Sequence, residues 1–148
     1  MLVCFDIDGT LADCRHRLHY VRTKPKNWAA FDAGIPHDTL IQSTAEIFRQ
    51  MTDAGHAVIL ATGRNEASRV ATETWLANNR LRSYLKIYMR ADGDYRADDI
   101  VKGEMLEQII ADFGKKPDMV FDDRPRVVAM WRAAGIWVFD CNQSGVDF

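Results

Sequence analysis

A chain of 148 residues, 47% of them hydrophobic and 27% charged, has the composition of an ordinary globular protein and not that of a largely disordered one. Its formal net charge of -2 supplies no overall attraction for phosphates, so tight binding of long duplex DNA is not expected. The three cysteines have neither CxxC nor zinc-ribbon spacing, and no apolar run has the length of a signal peptide core or a membrane span. These features predict a cytoplasmic protein with free thiols and no membrane partner.

Strand-like apolar runs alternate with helical patterns along the chain. A strand at 2–5 precedes an irregular segment at 14–37, a helix at 39–54, a strand at 57–61, a helix at 66–78 and a strand at 84–89. A helix at 99–113, a strand at 118–121, a helix from Pro125 to Gly135 and a strand at 136–139 complete the series. In the second helix, the residues predicted to face inward are Val70, Ala71, Thr74 and Trp75. The alternation predicts one α/β domain over 1–148, a three-layer sandwich around a five-stranded parallel sheet.

The irregular segment at 14–37 is basic and aromatic, and a connection of this length is uncommon unless it has a function. Its basic and aromatic residues are Arg15, Arg17, Tyr20, Arg22, Lys24, Lys26, Trp28 and Phe31. We expect it to form a small cap or lid. Its aromatic rings can stack on a base, although packing of the lid on the sheet explains them more simply. Most of its basic residues are equally explained as a solvated loop.

Polar groups follow four of the predicted strands at their carboxyl ends, where open parallel sheets bind ligands. They are Asp6 and Asp8 in DIDGT, Thr62, Gly63 and Arg64 in ATGR, Asp98 and Lys102 in RADDIVK, and Asp122 and Asp123 in FDDR. Hydroxyl and amide donors at a helix start suit a phosphate, and paired carboxylates are ligands that Mg²⁺ prefers. The spacing of Asp98 and Lys102 predicts that they lie side by side on a helix. Each motif alone has an innocent explanation, but four in succession indicate one site.

In order and spacing, DIDGT, ATGR, Lys102 and DDR resemble the four motifs of the haloacid dehalogenase superfamily. More narrowly, DIDGTLADCRHR, RADDIVKGE and FDDRPRVVAMWRAAGIWVFDC resemble the 3′-phosphatase domains of the phage polynucleotide kinase family. The likeness covers nearly the whole chain and is weakest over 18–37 and 75–90. The printed sequence has no GxxxxGK[ST] run of a P-loop kinase, so the substrate of such a phosphatase stays open.

The resemblance implies a role for each motif residue. Asp6 would be the nucleophile that forms an aspartyl-phosphate, and Asp8 the general acid and then the base. Mg²⁺ would be held by the Asp6 carboxylate, the Asp8 carbonyl oxygen and Asp122. Phosphate binding is implied for Thr62, Gly63 and Lys102, substrate binding for Arg17 and Arg64, and a supporting role for Asp98 and Asp123. Whether Arg15 or Arg17 faces the site stays open.

The expected activity is Mg²⁺-dependent hydrolysis of a phosphate ester, with the 3′-phosphate of a nucleic-acid end as substrate. A nucleoside monophosphate or another small phosphate ester is the neighbouring alternative, because the short insertion predicts an open site. A receiver-like signalling domain also clusters aspartates, Thr and Lys around Mg²⁺, but receivers accept phosphate at a later strand than the first. A dehalogenase would not need the acid that Asp8 provides. Oligomeric state, biological pathway and preference for DNA or RNA are not indicated by the sequence.

Overall fold

Strands and helices alternate in the structure in the order that the hydrophobic patterns predict. The computed structural model describes residues 1–145, and the last three residues of the predicted domain, 146–148, lie outside the described residues. The strands are β1 (Leu2–Phe5), β2 (Ala12–Asp13), β3 (Thr39–Leu40), β4 (Ala57–Asn65), β5 (Ile87–Arg90), β6 (Met119–Asp122) and β7 (Trp137–Asp140). The helices are α1 (His19–Arg22), α2 (Trp28–Ala33), α3 (Gln42–Asp53), α4 (Arg69–Asn78), α5 (Asp98–Phe113) and α6 (Pro125–Ala133).

Five strands form one parallel sheet in the spatial order β5-β4-β1-β6-β7. The central strand β1 pairs with β4 on one side and β6 on the other, with Val3 opposite both Val58 and Met119. The chain builds the β4 side first and then returns to the other side of β1, so the strand order reverses there, as at ligand-binding crevices. This arrangement confirms the predicted α/β sandwich with a five-stranded parallel sheet.

Two layers of helices cover the sheet, which explains why every residue of β1 is buried. Phe48 of α3 and Trp75 of α4 pack in the cluster on one face. Ile109 of α5 and Trp131 of α6 pack in the cluster on the other face. Each large apolar side chain buried in this way contributes about 1.5–3 kcal/mol relative to an exposed one. The helices therefore hold the sheet firmly, and the site at its carboxyl edge rests on rigid elements.

Some predicted bounds of strands and helices, and one predicted helix face, are wrong. The strand β4 continues to Asn65, so Thr62, Gly63 and Arg64 extend a strand and do not begin a helix. The first long helix starts only at residue 42, because residues 39 and 40 pair with β2 in a separate two-stranded sheet. In α4 the residues that face the core are Thr72, Trp75 and Leu76, whereas Val70 and Thr74 are exposed.

The segment at 14–37 forms short helical turns, α1 and α2 among them. The side chain of Asn27 accepts a hydrogen bond from the backbone N–H of Ala30 and so caps α2. Phe31 is half-buried against the guanidinium of Arg17. Tyr20 and Trp28 stay exposed, so the expected packing of these rings on the sheet is wrong. Among the described residues, no helix has the length and apolar character needed to cross a membrane.

Candidate active site

The DIDGT loop turns sharply against the end of β6. The backbone N–H of Asp6 donates to the carbonyl oxygen of Phe121, which ties the loop to that strand. Gly9 has a φ of +83°, and a Cβ there would lie 2.0 Å from Oδ2 of Asp123. Only glycine allows both this backbone conformation and this approach. The loop therefore places its carboxylates beside the acidic pair that ends β6.

A buried lysine bridges two of these carboxylates. Nζ of Lys102 lies 2.8 Å from Oδ1 of Asp6 and 2.7 Å from Oδ2 of Asp122. Burial raises the pKa of Asp6 well above its usual value, and Lys102 partly opposes that shift. Burial disfavours the ammonium as well, but Asp122 and Asp6 together raise the pKa of Lys102 above its usual range. The lysine is therefore charged and offsets the negative charge at Asp6, as the resemblance implies.

Three carboxylates converge where the sequence predicts a metal. Ligand oxygens of Asp6, Asp122 and Asp123 all lie within 4.8 Å of one another, and all three residues are buried. Burial and then the Asp122 carboxylate raise the pKa of Asp123 to about 6, because like charges crowd together. One lysine cannot neutralise three carboxylates. A set of oxygen donors with this excess negative charge fits Mg²⁺. The role assigned to the carbonyl oxygen of Asp8 stays a prediction.

The carboxylate of Asp8 points to arginines. Nη2 of Arg64 donates to its Oδ1 at 2.6 Å, and Nη2 of Arg17 donates to the same oxygen at 2.9 Å. Burial raises the pKa of Asp8, but Arg64 and Arg17 outweigh it and leave the pKa below its usual value. About a quarter of the Asp8 side chain, 26%, is exposed. A carboxylate that is ionised and open to solvent thus lies beside Asp6 on the same loop.

Arg17, not Arg15, is the arginine of the irregular segment that faces the site. The Arg15 side chain is 84% exposed and pairs with Asp13, whereas that of Arg17 is 1% exposed. The guanidinium of Arg17 lies 4.1 Å from the ring centre of Phe31 and donates to that residue's carbonyl oxygen. Of the two arginines between which the sequence could not decide, Arg17 therefore faces the site.

Asp38 is the residue that the sequence analysis missed. Its fully buried carboxylate accepts hydrogen bonds from Arg17 at 2.8 Å and from Arg64 at 2.9 Å, and Nε2 of His16 lies 2.7 Å away. Its carbonyl oxygen accepts from the indole N–H of Trp75. Asp38 fixes both arginines in the orientation in which they meet Asp8. The one signal in the sequence is indirect, because buried arginines need a carboxylate partner.

Asp38→Asn should lower the free energy of unfolding by about 1–3 kcal/mol. The NH2 group of the buried asparagine would face the N–H donors of the arginines, where the aspartate has an acceptor oxygen. Urea denaturation measures the change, with the slope m of unfolding free energy against urea concentration the same in both proteins. Asp53→Asn is the matched control, since Asp53 is exposed at the end of α3 and its loss should cost less than about 0.5 kcal/mol. Equal stability of the two variants would show that Asp38 does not hold the arginines.

The remaining motif residues frame the site. The backbone N–H of Arg64 donates to Oγ1 of Thr62, and both residues are buried. A Cβ at Gly63 would lie 3.2 Å from Oδ1 of Asp98, so glycine permits the close approach of β4 and α5. Asp98 and Lys102 lie four residues apart on α5, as predicted, but their partners differ. Asp98 instead pairs with the guanidiniums of Arg90 and Arg124, while Lys102 turns inward on the same helix.

Nearly the whole chain matches one known family of phosphatase domains. The family model of the polynucleotide kinase PNKP phosphatase domain matches residues 1–147. A chain in the structure of the Pnkp1/Rnl/Hen1 complex is 33% identical over 94% of this chain and 45% of that chain, with a TM-score of 0.77. This chain therefore spans less than half the length of that relative.

Two more distant structures share the fold alone. A haloacid dehalogenase-like hydrolase, SP0104 from Streptococcus pneumoniae, is 13% identical, with a TM-score of 0.68 over 94% of this chain and 83% of that one. The D,D-heptose 1.7-bisphosphate phosphatase from B. bronchiseptica, complexed with magnesium and phosphate, is 16% identical, with a TM-score of 0.65 over 94% and 79%.

Proposed function

This chain belongs to the family of PNKP phosphatase domains and is a phosphatase of the haloacid dehalogenase type, and from this premise we propose that it removes the 3′-phosphate from nucleic-acid ends. The observation that carries the proposal is the meeting of Asp6, Lys102 and the acidic pair at one sheet edge, with two arginines beside them. Membership of this family excludes the two alternatives from the sequence analysis, a receiver-like domain and a dehalogenase.

In the proposed reaction, a carboxylate oxygen of Asp6 attacks phosphorus as the bond to the leaving alcohol breaks. Asp8 donates a proton to the leaving oxygen and then takes one from the water that attacks the aspartyl-phosphate. That second step releases inorganic phosphate and restores Asp6. Lys102, 2.8 Å from Asp6, reduces the repulsion between the carboxylate and the phosphate.

The arginine contacts of Asp8 explain how it gains the proton that an acid must carry. In the free protein Arg64 and Arg17 keep its pKa low. A substrate phosphate offers these guanidiniums a stronger, bidentate acceptor. A phosphate that shares these guanidinium hydrogen bonds weakens those to Asp8 and places a new anion beside it, and both changes raise the pKa of Asp8. Substrate binding thus prepares Asp8 as the acid.

We infer a requirement for Mg²⁺ from the donor set. The carboxylates of Asp6, Asp122 and Asp123 would hold the ion, with the Asp8 carbonyl oxygen as a further ligand. When bound, Mg²⁺ neutralises charge between the nucleophile and the phosphate. A relative by fold, the heptose bisphosphate phosphatase, contains magnesium and phosphate.

A strand end as substrate is supported by the relatives and by the open site. Two matched chains, 33% and 31% identical, come from structures of a Pnkp1/Rnl/Hen1 complex, the second described as an RNA repair complex. The Asp8 side chain is 26% exposed, which suits a bulky substrate. We further propose that residues 1–148 act as one domain with 14–37 as a small cap, in a reducing cytoplasm. The free thiols of Cys4, Cys14 and Cys141 agree with that compartment.

Phosphate release from a panel of substrates tests the proposal. With Mg²⁺, we expect a 3′-phosphorylated oligonucleotide to exceed a 5′-phosphorylated one and nucleoside monophosphates in kcat/KM by at least roughly tenfold, about 1.4 kcal/mol in transition-state binding. A chelator in place of Mg²⁺ should abolish release from every substrate. Turnover of mononucleotides alone would contradict the strand-end substrate and favour a nucleotidase.

A further inference from the structure

A basic and aromatic surface lies on the segment between β2 and β3. We define the strand surface by its five side chains, Tyr20, Arg22, Lys24, Lys26 and Trp28, all exposed. From residue 14 to residue 31 the sequence has no acidic residue. Among residues 1–145, Arg22, Lys24 and Lys26 have no carboxylate within ion-pair distance. Because the chain as a whole carries a net charge of -2, this is a basic patch on an otherwise acidic protein.

The aromatic rings of this surface are available to a ligand. Trp28 is 45% exposed and Tyr20 is 37% exposed, although a small fold gains stability by burying such rings. Nζ of Lys26 lies 5.6 Å from the centre of the Trp28 ring. An exposed ring with a cation beside it, on a segment that carries two further exposed cations, is the combination that binds single strands, since bases stack on the ring and phosphates pair with the cations.

The strand surface adjoins the active site through a short series of contacts. The rings of Trp28 and Phe31 meet edge to face at 5.7 Å, and Phe31 lies under Arg17 at 4.1 Å. Nη2 of Arg17 is 2.9 Å from the carboxylate of Asp8. Successive nucleotides on a stacked strand rise about 3.4 Å each, so a strand that ends at Asp8 reaches Trp28 within a few nucleotides.

We propose that the strand surface binds the nucleotides that precede the 3′-terminal phosphate of a single strand. Trp28 stacks on a base, and Arg22, Lys24 and Lys26 pair with backbone phosphates. The inference rests on the proposed 3′-phosphatase activity and adds the means by which a strand is preferred to a mononucleotide. Stacking and phosphate pairing are indifferent to sequence, so no base preference is expected.

Trp28→Ala should lower kcat/KM for a 3′-phosphorylated oligothymidylate by roughly 5- to 150-fold relative to its effect on p-nitrophenyl phosphate. Trp28→Phe should restore most of the loss. The double variant Lys24→Gln/Lys26→Gln should reduce the slope of log(kcat/KM) against log[salt] by about 1.4. The controls are Trp137→Ala, an exposed tryptophan at the amino end of β7, and Arg80→Gln/Arg82→Gln, and neither should change the substrate ratio.

Two results would overturn the strand surface. An equal loss on both substrates in Trp28→Ala would mean that the ring only supports Phe31 and Arg17, and no loss on either substrate would mean that the strand does not reach it. If the proposed activity itself is wrong, the wild-type protein will release no phosphate from the oligonucleotide. In that event, fluorescence anisotropy with a labelled 3′-hydroxyl oligothymidylate still decides the matter, because only a strand surface makes wild type bind more tightly than Trp28→Ala.

Discussion

Asp6→Asn is expected to reduce phosphate release by roughly 10⁴- to 10⁶-fold, the scale on which removal of a catalytic nucleophile acts in other enzymes. The carboxamide keeps an oxygen for the 2.8 Å contact with Lys102 but cannot attack phosphorus as an anion. The loss should appear with every substrate, including p-nitrophenyl phosphate, because each reaction begins with the same attack. Steady-state phosphate release measures it.

The same substitution should not destabilise the fold, which separates chemistry from structure. Burial and the neighbouring carboxylates raise the pKa of Asp6, so the ionised carboxylate destabilises the folded protein. A neutral Asn removes repulsion with Asp122 and Asp123 while Lys102 keeps Asp122 as a partner. We expect a melting temperature at least equal to that of wild type.

Asp140→Asn is the matched control for Asp6→Asn. Asp140 also ends a strand of the sheet and lies in register with Asp122, but it is exposed. Its substitution should leave turnover within twofold of wild type, a change below about 0.5 kcal/mol. Near-normal activity in a folded Asp6→Asn variant would refute the assignment of the nucleophile.

The fold and the centre of the site could be predicted because both depend on local patterns. Buried parallel strands have continuous apolar runs, and their carboxyl ends meet at one edge of the sheet. A motif directly after a strand is therefore placed by the strand itself. That reasoning brings Asp6, Lys102 and Asp122 together correctly, although the three are far apart in the chain.

What could not be predicted depends on contacts between segments with no common pattern. Asp38 follows an irregular connection, and its partner Arg64 lies 26 residues further along the chain. Nothing local marks this pair, since a lone aspartate before a short strand is usually exposed. The partners of Asp98 could not be predicted for a related reason. Its spacing from Lys102 is right for one helix face, but Asp98 pairs with Arg90 from a neighbouring strand.

Asp8→Asn should lower turnover of an oligonucleotide 3′-phosphate by about 10²- to 10⁴-fold, the usual contribution of a general acid. The Asn oxygen still accepts from Arg17 and Arg64, whose 2.9 Å and 2.6 Å contacts keep the loop in place. The side chain can no longer give a proton to the departing alcohol. An alkoxide is a poor leaving group, so the first step becomes slow.

A substrate with a better leaving group separates the two roles of Asp8. Since p-nitrophenolate departs without a proton, Asp8→Asn should form the aspartyl-phosphate from p-nitrophenyl phosphate much as wild type does. Hydrolysis of that intermediate still needs the missing base. Stopped-flow absorbance should therefore show a rapid burst of about one p-nitrophenolate per active site, followed by slow turnover. A uniform loss with no burst would mean that Asp8 positions Arg17 and Arg64 and transfers no proton.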